Sequence, residues 1–252
     1  MLKIQRKMKR IMYKFTTILW DVDGTLLDFL YSQRIAITKC FKTIGRDITE
    51  EQIRRYSEIN DNWWRRLELG EVTKAQLLNG RFTSLFEEYG IDGVDVEAFR
   101  QEYQLHLGSV FAFMDDSLTI VKALQTKVKQ YVITNGVTAT QKSKLKLSGL
   151  AEAMDGLFIS EEVGTPKPQK AFFDHCLEHI QEKDKSKILI VGDSLSSDIK
   201  GGCLAGIPTC WYRPDGTENT TEFIPDYEIS DLHMIYDILG VFEKWQNRQD
   251  RN

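Results

Sequence analysis

The sequence predicts an α/β protein, a doubly wound parallel sheet with an all-helical domain inserted after its first strand. Three observations carry this prediction. From residue 117 onward short apolar runs alternate with helical stretches, the pattern of a parallel sheet with right-handed crossovers. Between residues 29 and 113 apolar positions recur at helical spacing and no run reads as a strand. The first apolar run, Thr17-Ile18-Leu19-Trp20, ends abruptly in Asp21-Val22-Asp23-Gly24, so the helical stretch departs from a strand tip.

Taken in order, Asp28 can cap a helix carrying Leu30, Ile37, Phe41 and Ile44, which Gly45 stops. Thr49 and Gln52 form a capping-box pair for a helix running through Ile53, Tyr56, Trp63 and Leu67 to Gly70. Thr73 and Gln76 repeat the device for Leu78, Phe82, Leu85 and Tyr89, ending at Gly90. A fourth helix starts near Asp95 and carries Val96, Phe99 and Tyr103 to Gly108. Beyond the insertion, Ser117 opens a helix through Leu124, followed by a strand over 128–134, a helix over 139–147 and a short strand over 156–160. Pro168 suits the first turn of a helix carrying Phe173, Leu177 and Ile180. Then come a strand over 187–191, a helix over 197–205, late strands over 209–212 and 227–229, and a closing helix over 232–245. The boundaries expected are 1–28 with 114–252 for the sheet domain and 29–113 for the helical one, hinged near 28–30 and 111–116.

The 252 residues, 42% of them hydrophobic, suffice for one α/β domain and a smaller one. A net charge of −4 gives no electrostatic footprint for nucleic acid or an anionic membrane. Cys40, Cys176, Cys203 and Cys210 form no Cys-x-x-Cys pair and fall inside predicted elements, as small buried apolar residues do. The basic opening, residues 1–10, lacks the apolar segment of a secretory signal and reads as an extension, with Met8 or Met12 as alternative starts. No run approaches a membrane span. A cytoplasmic protein is expected, monomeric or weakly self-associating.

A lone Asp-x-Asp-Gly is ordinarily a polar turn, and what raises Asp21 and Asp23 above that is their company. Thr134-Asn135-Gly136 places a hydroxyl and backbone N–H groups after a strand. Lys167 stands between Pro166 and Pro168, which restrict the backbone on both sides. Asp193 follows the strand over 187–191, and Asp198 follows five residues later, where it also suits a first-turn helix acid. A carboxylate can attack phosphorus, and a second carboxyl can exchange a proton with the leaving oxygen. The residues themselves leave open which of Asp21 and Asp23 does which. Two approaching anions require cations, and an all-oxygen carboxylate site suits Mg²⁺.

In that order the four segments resemble the motifs of the haloacid dehalogenase (HAD) superfamily, over nearly the whole chain. The resemblance implies a Rossmann-like core, a helical cap of C1 type inserted after the first motif, and an aspartyl-phosphate intermediate. It assigns Asp21 as nucleophile and Asp23 as acid/base, with Thr134, Asn135 and Lys167 on the phosphate. It implies a small phosphorylated metabolite as substrate and Mg²⁺ held by Asp21, the backbone carbonyl of Asp23, and Asp193; Asp198 is expected to act from outside that set, through a water or Lys167.

The wording around 20–29, 64–82 and 206–212 is further similar to the branch of noncanonical pyrimidine nucleotidases, which hydrolyse nucleoside monophosphates. Core motifs offer nothing that reads a base, so Trp64, one position off the apolar stripe of its helix, is expected to stack on it. Trp63 is expected in the cap core, and Asn60 either in that core or at the cleft. Phosphatases of sugar phosphates or phosphoglycolate and a phosphomutase share every core residue and stay open. A haloacid dehalogenase would not need Asp23, and a non-enzymatic phospho-acceptor domain would not carry the helical insertion.

Overall fold

The computed structural model describes residues 13–240, so the expected extension at the N-terminus and the end of the closing helix lie outside the described residues. Its strands are β1 (Thr17–Trp20), β2 (Lys129–Thr134), β3 (Gly156–Ile159), β4 (Ile188–Gly192), β5 (Thr209–Tyr212) and β6 (Tyr227–Ile229). They form one sheet in the order β3-β2-β1-β4-β5-β6, parallel throughout. β1 and β4 are central and buried along their whole length, which is why they read as unbroken apolar runs. Alternate residues feed opposite cores: Ile18 and Trp20 join Val132, Val191 and Cys210 on one face, while Leu19 joins Ile133, Ile190 and Phe173 on the other. The indole N–H that Trp20 carries into the first core is satisfied, since Nε1 donates to Gln130 Oε1 at 3.1 Å.

Register then places the chemistry. Trp20 stands opposite Val132 and Val191, so Asp21, Thr134 and Asp193 leave the sheet within two residues of that level, at one edge. The strand order reverses between β1 and β4, and the crevice beyond strand tips at such a reversal is where open α/β sheets bind ligands.

The insertion consists of α1 (Phe29–Thr43), α2 (Glu50–Glu68), α3 (Lys74–Glu88) and α4 (Val96–Leu107). Both predicted capping boxes form, and Asp28 and Asp95 cap α1 and α4. The four helices surround their own aromatic core, in which Phe82 meets Tyr103 edge to face at 5.1 Å and stacks on Tyr56 at 5.4 Å. Trp63 packs between α2 and α3 as expected, its Nε1 donating to Ser84 Oγ at 3.2 Å. The two linkers to the sheet domain run side by side: Asp28 N donates to Ala112 O at 3.0 Å and Met114 N to Leu26 O at 3.1 Å.

The remaining helices are α5 (Ser117–Leu124), α6 (Thr138–Leu147), α7 (Ser160–Val163), α8 (Lys170–His179), α9 (Lys200–Ala205) and α10 (Ile235–Leu239). Several expectations are corrected. Pro168 is not in the first turn of a helix: a turn closed by Gln169 N on Pro166 O at 3.0 Å intervenes, and α8 starts at Lys170. The helix expected over 197–205 begins at Leu195 as a wide π turn, where Ile199 N bonds Ser194 O at 3.2 Å, before α9 takes over. Over its described part the closing helix opens as a 3-10 turn, Leu232–Met234, before α10, and Gly240 follows α10 with φ +74°. Cys203 is exposed rather than buried. No helix among the described residues is long and apolar enough to cross a membrane.

Candidate active site

The turn after β1 is shaped by Gly24, which takes φ +93°. A Cβ there would lie 2.4 Å from Asp193 Oδ2, so only glycine lets the Asp193 carboxylate approach the turn. Asp193 is then fixed twice, by Thr25 Oγ1 on its Oδ1 at 3.1 Å and by Trp211 Nε1 on its backbone carbonyl at 2.8 Å. Asp21, Asp193 and Asp198 each present a carboxylate oxygen, all within 4.8 Å of one another. Lys167 enters this group from the β3–α8 connection and is only 1% exposed. Its Nζ donates to Asp21 Oδ1 at 2.6 Å, Asp198 Oδ1 at 2.7 Å and Ile133 O at 3.0 Å, which uses all three of its N–H bonds.

Three carboxylates around one ammonium leave an excess of negative charge, and its consequences are visible. Burial pushes the Asp21 carboxyl well above the usual range, with repulsion from Asp198 and Asp193 adding to it and Lys167 opposing it. Burial and Asp198 push Asp193 up to about 7. Burial alone would lower Lys167, but Asp198 and Asp21 hold it well above its ordinary value. Such a cluster of hard oxygen donors short of positive charge fits Mg²⁺. Asp198 is fully buried with both oxygens already engaged, the second accepting Ser194 N at 3.2 Å. The π turn creates this inward pose, and Gly192 makes room for it, since a Cβ there would lie 2.3 Å from Asp198 Cγ.

Asp23 points to a different set of partners. Its Oδ1 pairs with Lys144 Nζ and its Oδ2 accepts Gln141 Nε2 at 2.5 Å. Both come from α6, and Lys144 is fully buried. Neither was expected from the sequence, although polar residues at 141 and 144 flanking Leu145 on one helix face were the available signal. Thr134 Oγ1 accepts Gly136 N at 3.0 Å, which closes the loop after β2. The Asn135 side chain is taken up by the Lys167 backbone, Nδ2 donating to Lys167 O at 2.9 Å and Oδ1 accepting Lys167 N at 2.8 Å, which leaves its backbone N–H as the group available to a phosphate. The side chain therefore clamps the two loops together.

The helical cap roofs the cleft with one face of α2. Asn60, Asp61, Trp64, Arg65 and Glu68 recur at helical spacing and line the same cavity, of about 420 Å³, as Asp21, Asp23, Thr134, Lys167 and Asp193. Glu68 touches Ser196 across the gap, and burial raises its carboxyl above the usual range. From the start of α3, Lys74 Nζ crosses to the core and donates to Asn135 O at 2.6 Å and Gly136 O at 2.8 Å, with Glu161 Oε1 at 3.1 Å. Lys74, too, was missed, since alone it reads as a solvated first-turn residue.

Comparison with known proteins agrees with this architecture. The family model of haloacid dehalogenase-like hydrolases matches residues 15–206. The HAD hydrolase YfnB of Bacillus subtilis is 37% identical over 230 residues, covering 91% of this chain and 97% of its own. Its magnesium-bound crystal structure, in which interdomain movement was seen, superposes with a TM-score of 0.86 over 90% of this chain and 99% of that one. The pyrimidine 5′-nucleotidases PynA of Streptococcus pneumoniae and YjjG of Escherichia coli are 35% and 33% identical, covering 92% and 90% of this chain and 98% of each relative. The chain belongs to the haloacid dehalogenase-like hydrolases, as a Mg²⁺-dependent phosphomonoester hydrolase.

Proposed function

We propose that the enzyme is a 5′-nucleotidase that hydrolyses nucleoside monophosphates, pyrimidine ones above all, with Asp21 as the nucleophile. The observation that carries this reading is the α2 face over the carboxylate cluster, where an aromatic surface, Trp64, stands among hydrogen-bonding side chains in the same cavity as Asp21 and Lys167. The activities of PynA and YjjG support it. The reading takes 29–113 as the cap and the rest as the core.

Asp21 attacks phosphorus, the ester bond breaks, and the leaving 5′-oxygen takes a proton from Asp23. Water then attacks the aspartyl-phosphate, giving its proton to Asp23 and releasing phosphate. Lys144 and Gln141 hold Asp23 by its two oxygens, each of which keeps a lone pair for that proton. Lys167, with its N–H bonds committed, faces the phosphate as a fixed charge. Thr134 offers its hydroxyl proton. Asp21, Asp193 and the backbone carbonyl of Asp23 would hold Mg²⁺, whose charge would let the two anions meet. Asp198 fixes Lys167 from behind.

The test is kcat/KM for nucleoside 5′-monophosphates against sugar phosphates and phosphoglycolate. Pyrimidine nucleotides are expected to be the better substrates. Stacking on an aromatic side chain contributes ~1–3 kcal/mol, so Trp64→Ala should cost nucleotides about 5-fold to 150-fold more than it costs para-nitrophenyl phosphate. A sugar phosphate that outperforms every nucleotide would defeat the nucleotidase reading and leave the phosphatase intact.

A further inference from the structure

Inside the cap, directly behind the cleft, lies a cation without an anion. Arg81 is 1% exposed, its guanidinium flanked by the rings of Phe82 and Tyr103 at 4.9 and 5.0 Å. Among the described residues its Nε and Nη2 have no hydrogen-bond partner and no carboxylate pairs with it. A well-packed apolar side chain in such a place is often the more stable choice, so the guanidinium stands where folding alone gives little reason for it. Its one hydrogen bond leads toward the substrate: Nη1 donates to Asn60 Oδ1 at 2.8 Å. With the carbonyl oxygen of Asn60 committed to Arg81, the amide nitrogen is turned the other way, and Nδ2 reaches Asp61 Oδ1 at 3.3 Å. Asp61 lines the catalytic cleft and has no cationic partner among the described residues, since neighbouring Arg65 bonds Asn62 Oδ1 at 2.9 Å.

We infer that Asp61 is the residue that selects the far end of the substrate, and that Arg81 is a positioning residue acting on it through Asn60. A carboxylate at the roof accepts hydrogen bonds from hydroxyl or N–H donors and repels a second anion. Glu68, two turns further along the same helix face, adds to that field. The substrate class is a phosphomonoester whose distal end is uncharged and carries donors, whereas esters ending in a carboxylate or a second phosphate are rejected. A nucleoside meets this description through its sugar hydroxyls, and that identification rests on the nucleotidase reading. The discrimination against anions rests only on phosphomonoester hydrolysis.

The experiment compares phenyl phosphate with 4-carboxyphenyl phosphate, together with uridine 5′-monophosphate, in wild type, Asp61→Asn, Arg81→Met and the double variant, each with its melting temperature. One like charge across a cleft near the surface is worth about tenfold in binding. Asp61→Asn is therefore expected to raise the carboxyphenyl-to-phenyl ratio of kcat/KM by about that factor, chiefly through KM. Arg81→Met should move the ratio in the same direction without lowering the melting temperature, and should add nothing in the double variant. An unchanged ratio in Asp61→Asn overturns the inference. An Arg81→Met effect that is equal for both esters, or additive with Asp61→Asn, overturns the positioning role. If the ratio shifts while wild type ignores the nucleotide, the nucleotidase reading fails and the role of Asp61 stands.

Discussion

Asp21 shares one ammonium with Asp198 and stands beside the carboxylate of Asp193, and this crowding sets the behaviour of the site residue by residue. Asp21→Asn removes one of the repelling charges together with the nucleophile. It should abolish turnover while leaving the melting temperature unchanged or higher, a pair of outcomes read from one activity assay and one thermal scan. The same crowding gives a pH dependence opposite to the common one. Asp193 has a carboxyl raised to about 7 by burial, so between the ordinary Asp range and that value the folded state binds more protons than the unfolded one. Stability of the metal-free protein therefore falls as pH rises through about 7. In EDTA the melting temperature should be lower at pH 8 than at pH 6, and saturating Mg²⁺ should reduce or reverse the difference, because the ion stabilises the ionised carboxylates.

At the scale of elements, the α2–α3 pair decides how the roof hangs over the floor. Gly80 is a glycine in the interior of α3, where alanine would ordinarily be better by about 1 kcal/mol. Here a Cβ would lie 2.3 Å from the ring of Trp63, whose indole is also tied to Ser84. A rigid indole packed between two helices cannot yield cheaply, so the overpacking cost of roughly 1–3 kcal/mol wins over helix propensity. Gly80→Ala should lower the midpoint of thermal unfolding and displace α2, raising KM for the preferred substrate. A stabilised Gly80→Ala protein would show that propensity had prevailed.

For the whole molecule, polar ties on two sides help to join the cap to the core. The paired linkers hold one side, with Asp115, at φ +41°, accepting Tyr212 Oη at 2.7 Å and Leu232 N at 3.0 Å. Lys74 holds the other, gripping the carbonyls of the loop that clamps Lys167. Lys74→Met keeps the stem and removes the tie, which loosens closure without touching the nucleophile. The expected result is a rise in KM of about tenfold with a smaller fall in kcat, since charge-assisted hydrogen bonds contribute ~1.5–3 kcal/mol and solvent replaces part of that. Steady-state kinetics alongside small-angle scattering would check it, and unchanged KM together with unchanged dimensions would contradict it.

What the sequence determined by itself was whatever is encoded locally or in order along the chain. Strand runs such as 17–20 and 188–192, the capping boxes at Thr49 and Thr73, and the ordering of the four motifs are carried by adjacent residues, and period and punctuation report them faithfully. Tertiary structure alone decided the partners. Lys144, Gln141, Lys74 and Arg81 look like surface residues of amphipathic helices, because hydrophobic periodicity says which face is inside but not which buried polar group awaits there. The clamp that the Asn135 side chain makes on the Lys167 backbone likewise exists only once the two loops are brought together. The inward turn of Asp198 depends on a one-residue widening of a helix that propensity does not foresee. A hydrogen bond between residues 118 positions apart, as from Gln141 to Asp23, exists only because the parallel sheet aligns the ends of β1 and β2, and that alignment is a property of the packed chain.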